Sequence, residues 1–366
     1  EYNSSSEFKS DYLASELLSK YPMDLGVDRD SVALLAFEDA EATCAETNGI
    51  FSPRGVRNWP FWERSVMETA RLRIEKILGP FSWAEASRGF SFGPGASSSL
   101  SRRNASTEKK LQYGIAATPG AAHAAMVVWD AAKGWKSALD EFHVTRPHVV
   151  RGSRIVTVPK NAKTSRVIAI EPDLNMYIQK GLGSYIRRRL RKSGLDLNAS
   201  WKLNHELAKC GSVYNNYATI DLKSASDSIS YKLVEWLLPG DWFEALCLAR
   251  SRQALLPCGD WVSLDKFSSM GNAFTFELES MIFYALVLAV MDSCGAVDRV
   301  SVFGDDIIVP SKAYDDVRKI IAHCGFTVND KKTFHDGLFR ESCGKHYFQG
   351  HDVTPFYLRK EESDIL

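Results

Sequence analysis

The sequence predicts an α+β fold, and three observations carry that expectation. Apolar residues recur at three- and four-residue intervals in "SVALLAFEDAEATCAETN" and "WPFWERSVMETARLRIEKILG", so residues 1 to 140 read mostly as helices. The stretch "VVRGSRIVTVPKNAKTSRVIAI", residues 149 to 170, changes to two β-like runs joined by a Pro-Lys-Asn turn. Farther on, a short β-like run at 217 to 220, a long apolar helix and a hairpin-like run at 299 to 310 follow in that order.

The N-terminal helices come first. Gly79-Pro80 ends the second of the two periodic segments. The Gly- and Ser-rich stretch "RGFSFGPGASSSLSRRNAST" that follows is a flexible basic loop holding Arg102 and Arg103, either a plain linker or a nucleic-acid contact. In the predicted hairpin of 149 to 170, the cations Arg151, Arg154, Lys160, Lys163 and Arg166 are spaced so as to line a channel. The next segment, "LNMYIQKGLGSYIRRRLRKSG", reads as a helix whose cations favour its C-terminus, with Arg187 to Lys192 on a solvated face.

Tyr217 to Ile220 form a short strand ending in Asp221. Ser224, Ser226 and Ser228 break the pattern, Asp227 sits in the turn, and Ser230 caps a helix beginning near Tyr231. In "SSMGNAFTFELESMIFYALVLAVM", Phe274, Leu278, Met281, Ile282, Ala285 and Leu288 fall on one helical face, as a core helix requires. That leaves Ser268, Ser269, Gly271, Asn272 and Thr275 as a small, polar lead-in offering amides and hydroxyls to something anionic or sugar-like.

In "RVSVFGDDIIVP", Gly304-Asp305 closes a tight hairpin between two apolar runs. Asp305 and Asp306 are then either solvated turn residues or a platform for a divalent cation, because Mg²⁺ takes hard oxygen ligands. Antiparallel pairing of the 217 to 220 strand with this hairpin gathers Asp221, Asp305 and Asp306 around one volume. Two divalent ions held there would clamp the attacking and leaving oxygens of an in-line phosphoryl displacement. Metal charge would also hold the crowded aspartates ionised.

Composition narrows the alternatives. At 366 residues, with 45% hydrophobic and 25% charged residues, the chain is long enough for two or three subdomains. Lys plus Arg and Asp plus Glu number 45 each, yet Arg146 to Lys192 holds twelve basic residues against only Glu171 and Asp173. The longest apolar run, Met281 to Met291, is too short to span a bilayer, so no membrane partner is expected. The first residues lack a signal peptide's basic start and apolar core, and the missing initiator Met points to trimming or a partial sequence. Seven scattered cysteines without a CxxC pair argue against a disulfide framework or zinc site, and most are expected as buried thiols in a reducing cytoplasm. No GxxxxGK[ST] loop is present, which disfavours an ATPase of that type.

These motifs carry a family likeness. "DLKSASDS", "SSMGNAFTFELES" and "VFGDDIIVP" resemble motifs A, B and C of viral RNA-dependent RNA polymerases. "PKNAKTSRVIAIEP" resembles the basic motif F, "NDKKTF" motif D, and "RESCGKHYFQGHDVTPFYLRK" motif E. The combination is similar to the replicase β subunit of single-stranded RNA bacteriophages, the Qβ-like leviviruses. The resemblance implies a right-hand fold of fingers, palm and thumb. Residues 1–216 would form the N-terminal region and fingers, 217–239 the motif A palm, 240–267 a fingers insertion, 268–345 the rest of the palm, and 346–366 motif E and the start of a short or truncated thumb.

Residue by residue, the resemblance implies metal binding by Asp221, Asp305 and Asp306, with two Mg²⁺ and Mn²⁺ as a substitute. Asp227 and Asn272 would lie near the ribose 2′-hydroxyl, with Ser269 and Gly271 in the same nucleotide site. Lys160, Lys163 and Arg166 would meet the triphosphate, and Lys331 or Lys332 would donate a proton to pyrophosphate. Further implications are primer-independent copying of single-stranded RNA from ribonucleoside triphosphates in the cytoplasm of the bacterial host, and partnership with host translation elongation factors Tu and Ts. A reverse transcriptase-like palm is one rival, against which Asn272 with Asp227 argues. A noncatalytic RNA-binding scaffold is another, but it has no need of clustered carboxylates.

Overall fold

The computed structural model describes residues 4–21, 25–93, 95–101, 103, 105–106, 109–110, 115–124 and 147–357. Arg102, Arg146, residues 125–140 of the expected helical region and residues 358–366, with the end of motif E and the start of the thumb, lie outside them.

The N-terminal part is helical: α1 (Ser5–Lys20), α2 (Arg29–Ile50), α3 (Pro53–Arg57), α4 (Phe61–Leu78) and α5 (Trp83–Ser87). Asp28 caps α2 by accepting from Asp30 and Ser31 N–H, and α4 stops at Gly79. Described residues between α5 and β1 (Ala116–Ala117) are largely irregular and 119–124 are helical again, so the helical expectation for 1 to 140 holds to residue 87 and over 119–124 and fails in the described residues between them.

Then follow β2 (His148–Val149), β3 (Ser153–Pro159), β4 (Ser165–Ile170), α6 (Asp173–Lys192), α7 (Ser200–Tyr214), β5 (Tyr217–Ile220), β6 (Leu222–Lys223), α8 (Tyr231–Leu237), α9 (Gly240–Ala249), β7 (Gln253–Leu255) and β8 (Trp261–Ser263). The C-terminal part holds α10 (Thr275–Ser293), β9 (Ser301–Phe303), β10 (Asp306–Pro310), α11 (Tyr314–His323), β11 (Thr327–Val328), β12 (Phe339–Ser342), β13 (Lys345–Phe348) and β14 (His351–Asp352).

Three sheets position the site. The antiparallel order β5-β10-β9 sets Ile220 opposite Ile307 and Phe303 opposite Asp306. The β3–β4 hairpin is extended by β7, parallel to β3, and by β8. The antiparallel β12-β13-β14 sheet runs across the 345/346 boundary expected between palm and motif E, because Ser342 pairs with Lys345 and Phe348 with His351. Helix α1 rests on this sheet through Phe8, whose ring stacks 4.0 Å from that of Phe348.

Helix α10 is the centre of the main core. The expected single apolar face is corrected: residues from Leu278 to Phe283 are all buried, Glu279 and Ser280 included, because α4, α6, α11 and β9 surround the helix. Leu288, expected on the core face, is only partly buried.

The basic run in α6 also departs from expectation. Arg187 pairs with Glu277 of α10 at 2.6 Å, Arg188 donates to Glu85 O, and Arg189 donates to Ile77 O. These cations tie α6 to α4, α5 and α10, and only Arg191 and Lys192 are exposed. Among the cysteines, Cys44, Cys247 and Cys324 are buried while Cys258 and Cys294 are exposed, so fewer thiols are buried than expected.

Candidate active site

The β5–β10 register determines where the acids stand. One step beyond the Ile220–Ile307 pair, the antiparallel ladder sets Asp221 at the end of β5 beside Asp306 at the start of β10. Asp305 is in the turn before it. Gly304, with φ +62°, makes that turn possible and seats it on α10: its N–H donates to Ser280 Oγ at 3.0 Å, and a Cβ would stand 2.8 Å from the Phe276 ring.

All three acids are partly buried, and two of them are held from other elements. Asp306 Oδ1 accepts from Cys343 N–H (3.0 Å) and Ser342 Oγ (3.2 Å) of the β12–β13 hairpin. Asp221 accepts Asn329 N–H at its carbonyl (2.9 Å), and its Oδ2 lies 3.4 Å from Lys332 Nζ. Burial first, then repulsion from Asp305 and Asp306, pushes the Asp221 carboxyl up to about 6 against the pull of Lys332. Burial also raises Asp305 and Asp306, Asp306 adding to the rise at Asp305.

Of the two candidate lysines, the structure brings only Lys332 to the acids. Burial lowers its pKa, but Glu341 and Asp221 outweigh that and leave it raised and protonated. Lys331 is exposed and has no ion pair among the described residues.

The basic β3–β4 hairpin reaches the same volume. Lys160, Lys163 and Arg166 are exposed, and the charge of Lys160 is near enough to oppose the pKa rise at Asp305. Asn161 Oδ1 shapes the tip by accepting from Lys163 and Thr164 N–H at 2.9 and 3.0 Å. At the base of the hairpin, Ala169 N–H donates to Met270 O at 2.8 Å. Gly271 permits that approach: its φ is +110°, and a Cβ would lie 2.2 Å from Ala169 O.

The small-residue lead-in to α10 is otherwise tightly bonded. Ser269 O accepts from Asn272 N–H (3.0 Å) and Thr275 Oγ1 (3.2 Å), and Asn272 Oδ1 accepts from Phe274 N–H (3.0 Å). Ser268 Oγ is buried without a hydrogen-bond partner, whereas the Asn272 side-chain amide faces the Glu171 carboxyl and acts against the rise of its pKa. Asp227 and Asn272 share no hydrogen bond, and Asp227 Oδ1 lies 3.0 Å from the fully buried Lys266 Nζ.

Three buried ionisable groups near the site carry no role in the sequence reading. Glu279 accepts from Ser226 Oγ at 2.8 Å and is pushed up to about 8 by burial and by Asp305. Glu171, bonded to Ser251 Oγ at 2.6 Å, is pushed up to about 7 by burial. Lys266 is the third. A charged residue inside the apolar "FELESMIF" run was the available signal for Glu279; nothing local marked the other two.

Among the described residues, no three His, Cys, Asp or Glu side chains stand at metal-holding spacing. The chemistry of the donors nonetheless fits a hard divalent cation, since the mutual repulsion that raises Asp221 is the charge excess such an ion cancels. Binding one requires the three carboxylates to turn toward a common point.

A family model described as RNA replicase, beta-chain, matches residues 2–365. The RNA-directed RNA polymerase subunit beta of Escherichia virus Qbeta is 43% identical over 96% of this chain and 59% of its own length. The RNA-directed RNA polymerase beta chain of Escherichia phage MS2 is 39% identical over 97% of this chain and 65% of its own. The chain therefore spans less than two thirds of the length of these relatives. Among solved structures, the BmCPV RNA-dependent RNA polymerase at elongation state is similar with a TM-score of 0.49 and 12% identity, over 81% of this chain and 29% of that one.

Proposed function

This chain belongs to the RNA replicase β-chain family, and from that premise we propose that it carries the nucleotidyl-transfer site of an RNA-directed RNA polymerase that copies single-stranded RNA without a primer. The observation that supports this most is the β5–β10 pairing, which sets Asp221 beside Asp305 and Asp306 under the cation of Lys160. In this reading 217–239 and 268–345 are palm, the β3–β4 hairpin and 240–267 are fingers, and 346–366 lead toward a thumb.

The reaction joins a 3′-hydroxyl oxygen to the α-phosphorus of a ribonucleoside triphosphate and breaks the bond to pyrophosphate. Asp221, Asp305 and Asp306 are the residues that would hold Mg²⁺, which when bound supplies charge neutralisation at the attacking and leaving oxygens. Lys160, Lys163 and Arg166 neutralise the triphosphate. Asn272 and Asp227 receive the 2′-hydroxyl, and a deoxynucleotide leaves the second Asp227 oxygen without a partner. Lys332 donates the proton to departing pyrophosphate. The same reading places the protein in the bacterial cytoplasm with template RNA, product RNA and host elongation factors Tu and Ts as partners. Among the described residues no helix is long and apolar enough to cross a membrane.

The test is template-dependent incorporation of labelled ribonucleotides by the full-length protein with Mg²⁺ and host extract. Asp305→Asn should abolish incorporation while leaving RNA binding intact. Equal synthesis by wild type and variant would refute the assignment, and incorporation of deoxynucleotides at ribonucleotide rates would favour a reverse transcriptase-like palm.

A further inference from the structure

Lys266 has no exposed surface, yet it carries a charge that burial makes costly unless it is fully paired. Its ammonium has three neighbours: Asp227 Oδ1 at 3.0 Å, Glu41 Oε1 at 3.2 Å, and the Phe37 ring with its centroid at 3.7 Å. The ammonium thus donates one hydrogen bond, to Asp227, and is otherwise balanced by the Glu41 charge and the Phe37 ring face.

Everything around the lysine is pinned. Lys266 pairs with Ser230 in an isolated antiparallel bridge, and its carbonyl accepts from Arg250 Nη2 at 2.8 Å. Phe267 N–H donates to Ile229 O at 2.6 Å, and Tyr231 N–H to Asp265 O at 3.0 Å. Glu41 is fixed separately, because its Oε2 accepts from Asp265 N–H at 2.7 Å.

Asp227 is the partner with work left to do. Its Oδ1 is committed to Lys266, while its Oδ2 accepts no hydrogen bond from the described residues and the side chain keeps 17% of its surface open. A carboxylate with one oxygen anchored and the other free is a directed acceptor for a hydroxyl. Loss of the anchor would let it rotate or point elsewhere.

We infer that Lys266 is a positioning residue for sugar selection: it fixes the Asp227 carboxylate so that its free oxygen meets the ribose 2′-hydroxyl. The inference rests on the reading of Asp227 as a sugar contact. It adds a determinant that lies thirty-nine residues along the chain from Asp227 and touches no substrate itself.

The test compares kcat/KM for a ribonucleotide and its 2′-deoxy analogue in the full-length protein with its required partners. The ratio of the two is independent of how much enzyme is correctly folded, so a merely structural role would not move it. Lys266→Met should reduce ribose discrimination by about tenfold or more, on the scale of the roughly 10²-fold that a 1 Å misplacement costs. Lys266→Arg retains the buried charge while moving its donors, and is expected to reduce discrimination too if Lys266→Met fails to accumulate. Glu41→Gln leaves the Lys266–Asp227 pair in place and should keep discrimination within about twofold while changing stability. Asp227→Ala is the reference. If Asp227→Ala lowers discrimination but both Lys266 variants leave it unchanged, the role of Lys266 is overturned. If Asp227→Ala itself has no effect, the sugar contact falls first and the inference falls with it.

Discussion

Glu171 offers a sharp physical test because its protonation is coupled to folding. The carboxyl lies buried on the strand side of α6, accepts from Ser251 Oγ at 2.6 Å, and is pushed by burial from its ordinary 4.5 up to about 7. Between those two values the unfolded chain gives up the proton while the folded chain keeps it. The folded state then binds more protons, so stability falls as pH rises through this window and levels off above about pH 7. At about 1.4 kcal/mol per pH unit, the span corresponds to about 3 kcal/mol. Glu171→Gln, close in shape to the protonated acid, removes that dependence. Denaturant unfolding of the full-length chain should therefore give nearly equal stability for the two proteins at pH 4, with the variant ahead by up to about 3 kcal/mol at pH 8. A difference that stays constant from pH 4 to pH 8 would show that Glu171 does not titrate with folding.

Other consequences follow from single contacts. Gly271→Ala places a Cβ against Ala169 O in a left-handed backbone; a cost of about 1–3 kcal/mol and a raised nucleotide KM are expected, read by unfolding and steady-state kinetics. The Arg340 guanidinium, fully buried, donates to the carbonyls of Tyr217, Asp336, Gly337 and Phe339 and to Asn215 Oδ1. Arg340→Met should destabilise by about 3 kcal/mol or more, measured by denaturant midpoint, because several buried acceptors are orphaned at once. Lys332→Ala should slow single-turnover incorporation by about 10²-fold or more, and by at least about tenfold more than Lys331→Ala. Equal effects of the two would remove Lys332 from its assigned role.

What was legible in the sequence was local. The β-like run at 217 to 220, Ser230 as a helix cap and the Gly304-Asp305 turn each depend on residues a few positions apart and form where their patterns lie, while the hairpin expected over 149 to 170 begins at Ser153 because Val149 pairs with β1 instead. The polar lead-in to α10 was visible as unexplained small residues, although the contact that requires Gly271, with Ala169 O, was not. Long-range electrostatics stayed hidden. Lys266 reads as an ordinary surface lysine until Glu41, from a helix far upstream, and Asp227 close around it. Arg187, Arg188 and Arg189 looked solvated because a basic helix end is favourable by itself, whereas their partners lie on α10, α5 and α4. The all-round burial of α10 was likewise unreadable from its periodicity, since a helix surrounded by neighbours has no polar face to reveal.

In the proposed reading Asp221 and Asp305, brought together by the β5–β10 pairing, act as one catalytic unit. Single-turnover ribonucleotide incorporation by full-length Asp221→Asn, Asp305→Asn and the double variant reads that coupling. Groups that act together lose nearly everything on the first removal, so each single change should cost about 10³-fold or more and the double change little beyond that. Losses that multiply, with the double variant slower by the product of the two single effects, would show two independent sites instead.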